Sequence, residues 1–140
     1  FIRNIIHNKP IEIYNNGKHT RDFTYIDDAT NAVFKSIKII PQKSTSRFNN
    51  LNPSESNAPF RIINVGNNKP INLLTCIELI EKIIGKTAIK KFMSAQKGDI
   101  LKTHSDVGKI KKIFKYKSKI GIREGLTNFI TWFKIYYKLN

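Results

Sequence analysis

The chain has 140 residues, 40% of them hydrophobic, which is enough for one domain with a buried core and too many for a disordered chain. Its 25 basic residues against 10 acidic ones give a formal charge of +15, but the lysines are scattered rather than gathered in a stripe, so nucleic acid is an unlikely partner. The single cysteine, Cys76, excludes an intramolecular disulfide and a multi-cysteine zinc site, and with no apolar run near a membrane span and no signal-peptide pattern, a cytoplasmic setting is expected.

The elements can be read in chain order. Phe1, Ile2, Ile5 and Ile6 have helical spacing with no capping residue ahead of them, as if the chain were entered partway along a helix, and this suggests a fragment. Pro10 ends that helix. Residues 11–14 alternate apolar and polar, as a short strand does, and Asn15-Asn16-Gly17 signals a turn. Asp22 to Ile26 reads as a second strand. Asp27 or Asp28 then caps a helix to about Ile40, stopped by Pro41.

Residues 42–60, rich in Ser, Asn and Pro, form an internal loop. Arg61 to Val65 reads as a buried strand closed by Gly66. Asn72 is the N-cap of a helix over 73–84, with Gly85 just past its end and Cys76 on its core side. Residues 88–93 read as a strand and 96–99 as a polar loop. Asp106 caps a short helix to Phe114, and the last helix runs over about 122–139. The densest lysines, Lys109 to Lys119, interleave with Ile110, Ile113, Phe114 and Tyr116, which suits a helix end with a solvated face. There is no internal repeat. Strands alternate with helices, so the class is α/β, a mixed α+β arrangement in a single unit over 1–140.

Few residues suit chemistry. Arg21, between a glycine turn and a strand, can hold a phosphate with two parallel hydrogen bonds, or can form a surface ion pair with Asp22 or Asp27. Asp99, after Gly98, can accept from two ribose hydroxyls or can be an ordinary turn aspartate. His7, His19 and His104 lack metal-ligand spacing and read as surface or loop histidines. Tyr14 and Lys18 match the Tyr-x-x-x-Lys spacing of short-chain dehydrogenases. There the pair shares one helix face, whereas here it spans a strand end and a turn, so it is not a catalytic pair.

The segments Lys9 to Tyr14 and Gly17 to Asp28, then Ala58 to Asn67, Gln96 to Asp106 and Glu124 to Phe133, resemble the C-terminal half of extended short-chain dehydrogenase/reductase enzymes. Within these the resemblance is to NAD-dependent nucleotide-sugar epimerases and dehydratases, the UDP-glucuronate 4-epimerase branch in particular. It implies the substrate-binding portion of a Rossmann-type epimerase, lacking most of the Rossmann sheet. It implies that Arg21 binds a nucleotide diphosphate, that Tyr14 with Ile13 lines a uracil pocket, that Phe23 approaches the nucleotide, that Asp99 holds the ribose hydroxyls, and that Thr103 lines the same site. Gln96 stands where many relatives have Arg, and Lys97 could supply that charge instead.

The glycine-rich turn that meets a dinucleotide pyrophosphate is absent, because Gly17, Gly66, Gly85 and Gly98 are too dispersed. The family's catalytic Ser/Thr and Tyr-x-x-x-Lys set is absent too. The resemblance therefore implies no catalytic residue in this chain, NAD bound by an N-terminal half, no cofactor on this chain alone, and no epimerase activity by itself. A UDP-sugar and a separately encoded N-terminal half are the expected partners, with no membrane. A fragment of a related dehydratase or decarboxylase, or a basic nucleic-acid-binding module, are the alternatives.

Overall fold

The computed structural model describes residues 1–44 and 53–139. Among them the secondary structure is, in order, α1 (Ile2–Ile6), β1 (Ile11–Ile13), β2 (Thr20–Arg21), α2 (Ile26–Ile37), β3 (Ile71–Asn72), α3 (Leu73–Ile84), β4 (Lys90–Phe92), α4 (Gly108–Phe114) and α5 (Ile122–Tyr136). A 3₁₀ turn, Tyr14–Gly17, joins β1 to β2. The mixed α/β class agrees with the sequence. The strands form two separate pairs: β1 runs parallel to β4, with Ile11 opposite Lys90, and β2 runs antiparallel to β3, with Thr20 opposite Asn72.

The larger core lies where α1, α3 and α5 pack together against β1. Ile5, Ile11, Ile13 and Ile77 are almost wholly removed from water there, and Cys76 and Ile130 join them. Burying an isoleucine of this kind contributes about 2–3 kcal/mol. Burial also pushes the Cys76 thiol up, as befits a small core residue. A second, smaller core holds Ala32, Val107, Ile110 and Tyr116 between α2 and α4.

α3 follows its sequence signals closely. Asn72 accepts a hydrogen bond from the Leu74 N–H at 2.8 Å, and Gly85 closes the helix in the left-handed conformation at φ 78°. Glu81, near its end, accepts from the Ala88 N–H and from Lys90 Nζ, both at 2.7 Å. Those bonds and the lysine charge outweigh the opposing effect of burial, so its carboxyl titrates below the usual value. They also tie the loop after α3 to β4.

Three expectations are corrected. Residues 22–25 are not a strand: the β-ladder ends at Arg21, and the Asp22 N–H turns instead to the Thr103 hydroxyl oxygen at 3.1 Å. Neither Asp27 nor Asp28 caps α2, whose N-cap is Tyr25. The Asp28 side chain is buried and accepts from Ser118 Oγ at 2.7 Å and from the N–H groups of Lys119 and Ile120, at 3.0 Å for Ile120. Residues 61–65 have a single bridge, Arg61 to Glu55, in place of a buried strand, because Ile63 packs onto the smaller core rather than beside a strand.

α2 ends at Ile37, short of Ile40. Asp106 works one residue ahead of its expected place, accepting from the Gly108 N–H at 2.8 Å while Val107 is the N-cap of α4. Of the 42–60 loop, residues 45–52 lie outside the described residues. The remainder is held together in part by the Ser44 N–H on the Ser56 carbonyl at 2.8 Å.

Candidate functional site

The site is built on β2, a strand of two residues that the chain flanks on both sides. β3 pairs with one edge. Along the other edge run residues 101–103: the Thr20 N–H donates to the Leu101 carbonyl at 2.9 Å, and the Thr103 N–H donates to the Thr20 carbonyl at 3.2 Å. This second seam brings the loop after β4 alongside β2 and sets Asp99 against Arg21. Arg21 Nη2 donates to Asp99 Oδ1 at 3.0 Å. Its Nη1 donates to the Thr20 carbonyl at 3.0 Å and approaches the Leu101 carbonyl at 3.4 Å. One end of the guanidinium is thus fixed to the backbone while the other faces an exchangeable partner. The two side chains keep 29% and 31% of their surface in water, and an ion pair that wet contributes about 1 kcal/mol or less, so a phosphate can displace it.

Arg21 pairs with Asp99, then, and not with Asp22 or Asp27. Asp22 has a different task. Its carboxylate accepts from the N–H groups of Asn68 at 3.0 Å, Lys69 at 3.2 Å and Ser105 at 3.0 Å. It pins the turn after Gly66 and the segment after Thr103 to the end of β2. Thr103 is part of the same knot, with its hydroxyl oxygen taken by the Asp22 N–H.

His19 corrects the sequence reading. It is not a surface residue but is 3% exposed, and its Nε2 stands 3.2 Å from Asp99 Oδ2. The approach is close without being an aligned hydrogen bond: Nε2 has no hydrogen-bond partner. The His19 carbonyl accepts from the Leu73 N–H at 2.9 Å, which fixes the residue to the start of α3. His7 and His104 are exposed as expected, and His104 Nε2 meets Asn68 Oδ1 at 2.5 Å.

The remaining expected residues divide in two. Phe23, 36% exposed, borders with Arg21 and Tyr25 an apolar cavity of about 640 Å³ that reaches Cys76, Gly125 and Phe129. Gln96 and Lys97 are exposed on the loop that carries Asp99. Ile13 and Tyr14 belong to β1 and the turn after it. Ile13 is 0% exposed within the larger core, so its main chain and not its side chain is what a ligand could meet. Even that is engaged, since the Ile13 carbonyl accepts from the Met93 N–H at 2.9 Å. The half-buried Tyr14 donates its hydroxyl to Glu12 Oε2 at 2.9 Å, and that bond with the Glu12 charge holds the phenol above its usual value.

The direction of that shift bears on Tyr14 and Lys18, since a phenol serving as a base needs its pKa lowered. The backbone agrees. Asn15 and Asn16 lie between the two at φ 49° and 50°, which a shared α-helical face does not allow. A dinucleotide pyrophosphate needs glycines whose backbone is open to it. Gly17 instead faces the Leu74 side chain and Gly66 faces Ser105, so both glycines serve internal packing and do not fit that role.

Among the described residues, no helix is long and apolar enough to cross a membrane, and no group of three His, Cys, Asp or Glu side chains could hold a metal.

Sequence reasoning missed His19 and Asp22. Nothing local marks either one: their partners lie 80 and 46–83 residues away. The one available hint was the run of polar residues on both sides of Arg21.

Comparison with known proteins bears on the family and fold of the chain. Residues 1–49 match the NAD dependent epimerase/dehydratase family. An uncharacterized protein of Methanocaldococcus jannaschii is 41% identical over 95% of this chain and 36% of its own length. The UDP-glucuronate 4-epimerase of Thermodesulfobacterium geofontis is 34% identical over 96% of this chain and 36% of its own. Among solved structures, a single-residue variant of the Bacillus cereus UDP-glucuronic acid 4-epimerase, in complex with UDP-4-deoxy-4-fluoro-glucuronic acid and NAD, superposes with a TM-score of 0.79. It is 27% identical, covering 97% of this chain and 38% of that one. The chain spans about two fifths of the length of the curated relatives it matches. In sequence and in fold it corresponds to the C-terminal part of NAD-dependent epimerase/dehydratase family proteins.

Proposed function

We propose that this chain, the counterpart of the C-terminal part of NAD-dependent epimerase/dehydratase proteins, holds the UDP end of a UDP-sugar as part of a UDP-glucuronate 4-epimerase-like protein. The observation that carries the reading is the meeting of Arg21 and Asp99 at 3.0 Å, with Phe23 beside Arg21 on the rim of a cavity. A fixed guanidinium suits a diphosphate, with two N–H groups in a plane and a permanent charge. A carboxylate one side chain away suits a pair of vicinal hydroxyls. A nucleoside diphosphate offers each group its complement, phosphate oxygens for the guanidinium and ribose hydroxyls for the carboxylate. Thr103 can still donate its hydroxyl proton to a ligand, since its oxygen is used as an acceptor from the Asp22 N–H.

Tyr14 offers a half-exposed ring, and a ring beside a base gains about 1–3 kcal/mol of stacking. In this reading Tyr14, on the turn after β1, lines the pocket for the base. Ile13 supports Tyr14 from the core. Exposed Lys97 supplies a further charge for the phosphates.

In this reading the hydride chemistry belongs to residues outside this chain. NAD is held by an N-terminal half, encoded with it or separately, and the chain alone, in the cytoplasm, is inactive. Titration calorimetry of the 140-residue chain with UDP tests the binding: saturable heat with UDP, at an affinity that Arg21→Ala weakens about tenfold to hundredfold, is the expected result, and no binding at millimolar UDP overturns it. Conversion of UDP-glucuronate by the chain and NAD alone would refute the inactivity.

A further inference from the structure

We infer that His19 is a positioning residue for nucleotide binding, taking over the Asp99 carboxylate when Arg21 turns to the phosphates. The inference rests on the nucleotide reading above and adds a residue to it. Each Asp99 oxygen faces a neighbour, Oδ1 accepting from Arg21 at 3.0 Å and Oδ2 lying 3.2 Å from His19 Nε2. A diphosphate must draw Arg21 Nη2 away from Asp99. Nη1 need not move, because it is bonded to the Thr20 carbonyl. Asp99 would then lose its one aligned charged partner while sitting on an exposed loop whose turn is closed by a long bond, Asp99 N–H to the Gln96 carbonyl at 3.3 Å. A carboxylate that wanders cannot hold two ribose hydroxyls.

His19 is built to prevent this. Its side chain is 4% exposed, and its backbone is clamped between β2 and the first turn of α3. Its Nε2 is buried and has no hydrogen-bond partner, an arrangement that natural proteins rarely leave unexplained. The nearest acceptor is the Asp99 carboxylate, and the present geometry misses an aligned bond while keeping contact distance. A small rotation of the carboxylate, released by Arg21, completes the bond from Nε2–H, the tautomer that a facing carboxylate selects. One set of Asp99 lone pairs then belongs to His19 and the others are left for the ribose. The Arg21–Asp99 pair is in effect a resting latch, and His19 is the catch that receives Asp99 when the latch opens.

The test uses two variants that place an amide at different heights. His19→Gln puts a donor where Nε2 stands, and His19→Asn puts one where Nδ1 stands. UDP and inorganic pyrophosphate are titrated against each by calorimetry, with thermal unfolding recorded alongside. His19→Asn should weaken UDP binding about tenfold, the usual loss for one charge-assisted hydrogen bond, and leave pyrophosphate binding within about twofold. His19→Gln should bind UDP within about threefold of the parent. A role in folding alone would lower both variants' melting points without telling the two amides apart.

Equal UDP affinity in all three proteins overturns the inference, and so does an equal loss of UDP and pyrophosphate. If His19→Asn does not fold, the imidazole ¹⁵N resonances of the parent decide: saturation with UDP should shift Nε2, and Asp99→Asn should remove that shift. An unmoved Nε2 overturns the inference. A parent chain that binds no UDP overturns the nucleotide reading, and this inference with it. A parent that binds, with His19→Asn unaffected, overturns the inference alone.

Discussion

Arg21 and Asp99 lie 78 residues apart in the sequence and meet as a 3.0 Å ion pair in which the arginine keeps a second anchor on its own strand. That second anchor separates Arg21 from a mobile surface cation. Arg21→Ala should weaken UDP binding about tenfold to hundredfold, since charge-assisted bonds to phosphate contribute about 1.5–3 kcal/mol. Arg21→Lys should recover only part of the loss, because an ammonium cannot hold the Thr20 carbonyl and a phosphate in one plane. Calorimetry on the three proteins checks both statements, and a lysine variant with full UDP affinity would count against the planar geometry.

Asp28 makes a prediction about acid. Burial alone would raise its carboxyl, but the bonds from the Ile120 N–H, the Ser118 hydroxyl and the Lys119 N–H, with the Lys119 charge, outweigh burial and lower it from 3.8. A depressed folded value means the contribution is fully present above 3.8 and fades as pH falls through the lower folded value. Asp28→Ala should cost about 2–3 kcal/mol at neutral pH, because it strands buried donors. The gap between variant and parent in urea midpoint should narrow as the pH is taken below 3.8.

Two glycines with the same backbone angle should respond differently to alanine. Gly17 and Gly85 sit at φ 74° and 78°. A Cβ on Gly17 would come within 2.6 Å of the Leu74 side chain, while one on Gly85 would meet nothing within 4 Å. Gly85→Ala should cost about 1 kcal/mol, the strain of the left-handed conformation alone. Gly17→Ala adds overpacking of about 1–3 kcal/mol. Thermal unfolding of the pair measures the difference, and equal losses would mean that Leu74 yields freely.

Ile77 is 0% exposed at the centre of the larger core, where α1, α3 and α5 converge. Ile77→Ala should destabilise the chain by about 2–5 kcal/mol. Denaturant unfolding followed by circular dichroism provides the measurement.

Helices were legible in the sequence wherever an apolar face and a local cap coincided. α3 is the clearest case, with Asn72 and Gly85 in their expected places. The failures share one cause. Asp28 looked like a cap, Asp22 like a strand residue and His19 like a surface residue, yet each is bound to a segment 80 or more residues away. Local pattern carries no record of such partners. The same holds for residues 61–65, whose β-rich composition is satisfied by packing Ile63 on the smaller core instead of by a ladder. At the site, residue type pointed to Arg21 and Asp99, while the resemblance supplied their roles. Neither could show that the two touch, or that a buried imidazole stands behind them.

The long seams of this fold also set an order in time. β1 pairs with β4, Arg21 with Asp99, Lys35 with the Phe114 and Lys115 carbonyls, and Asp28 with residues 118–120. During synthesis residues 1–40 therefore emerge ahead of these partners, and Ile5, Ile11 and Ile13 wait for α3 and β4. Closing loops of this length is slow, and chains dominated by distant contacts fold slowly. Arg21 acquires its ion-pair partner only when Asp99 has left the ribosome and residues 101–103 have found β2.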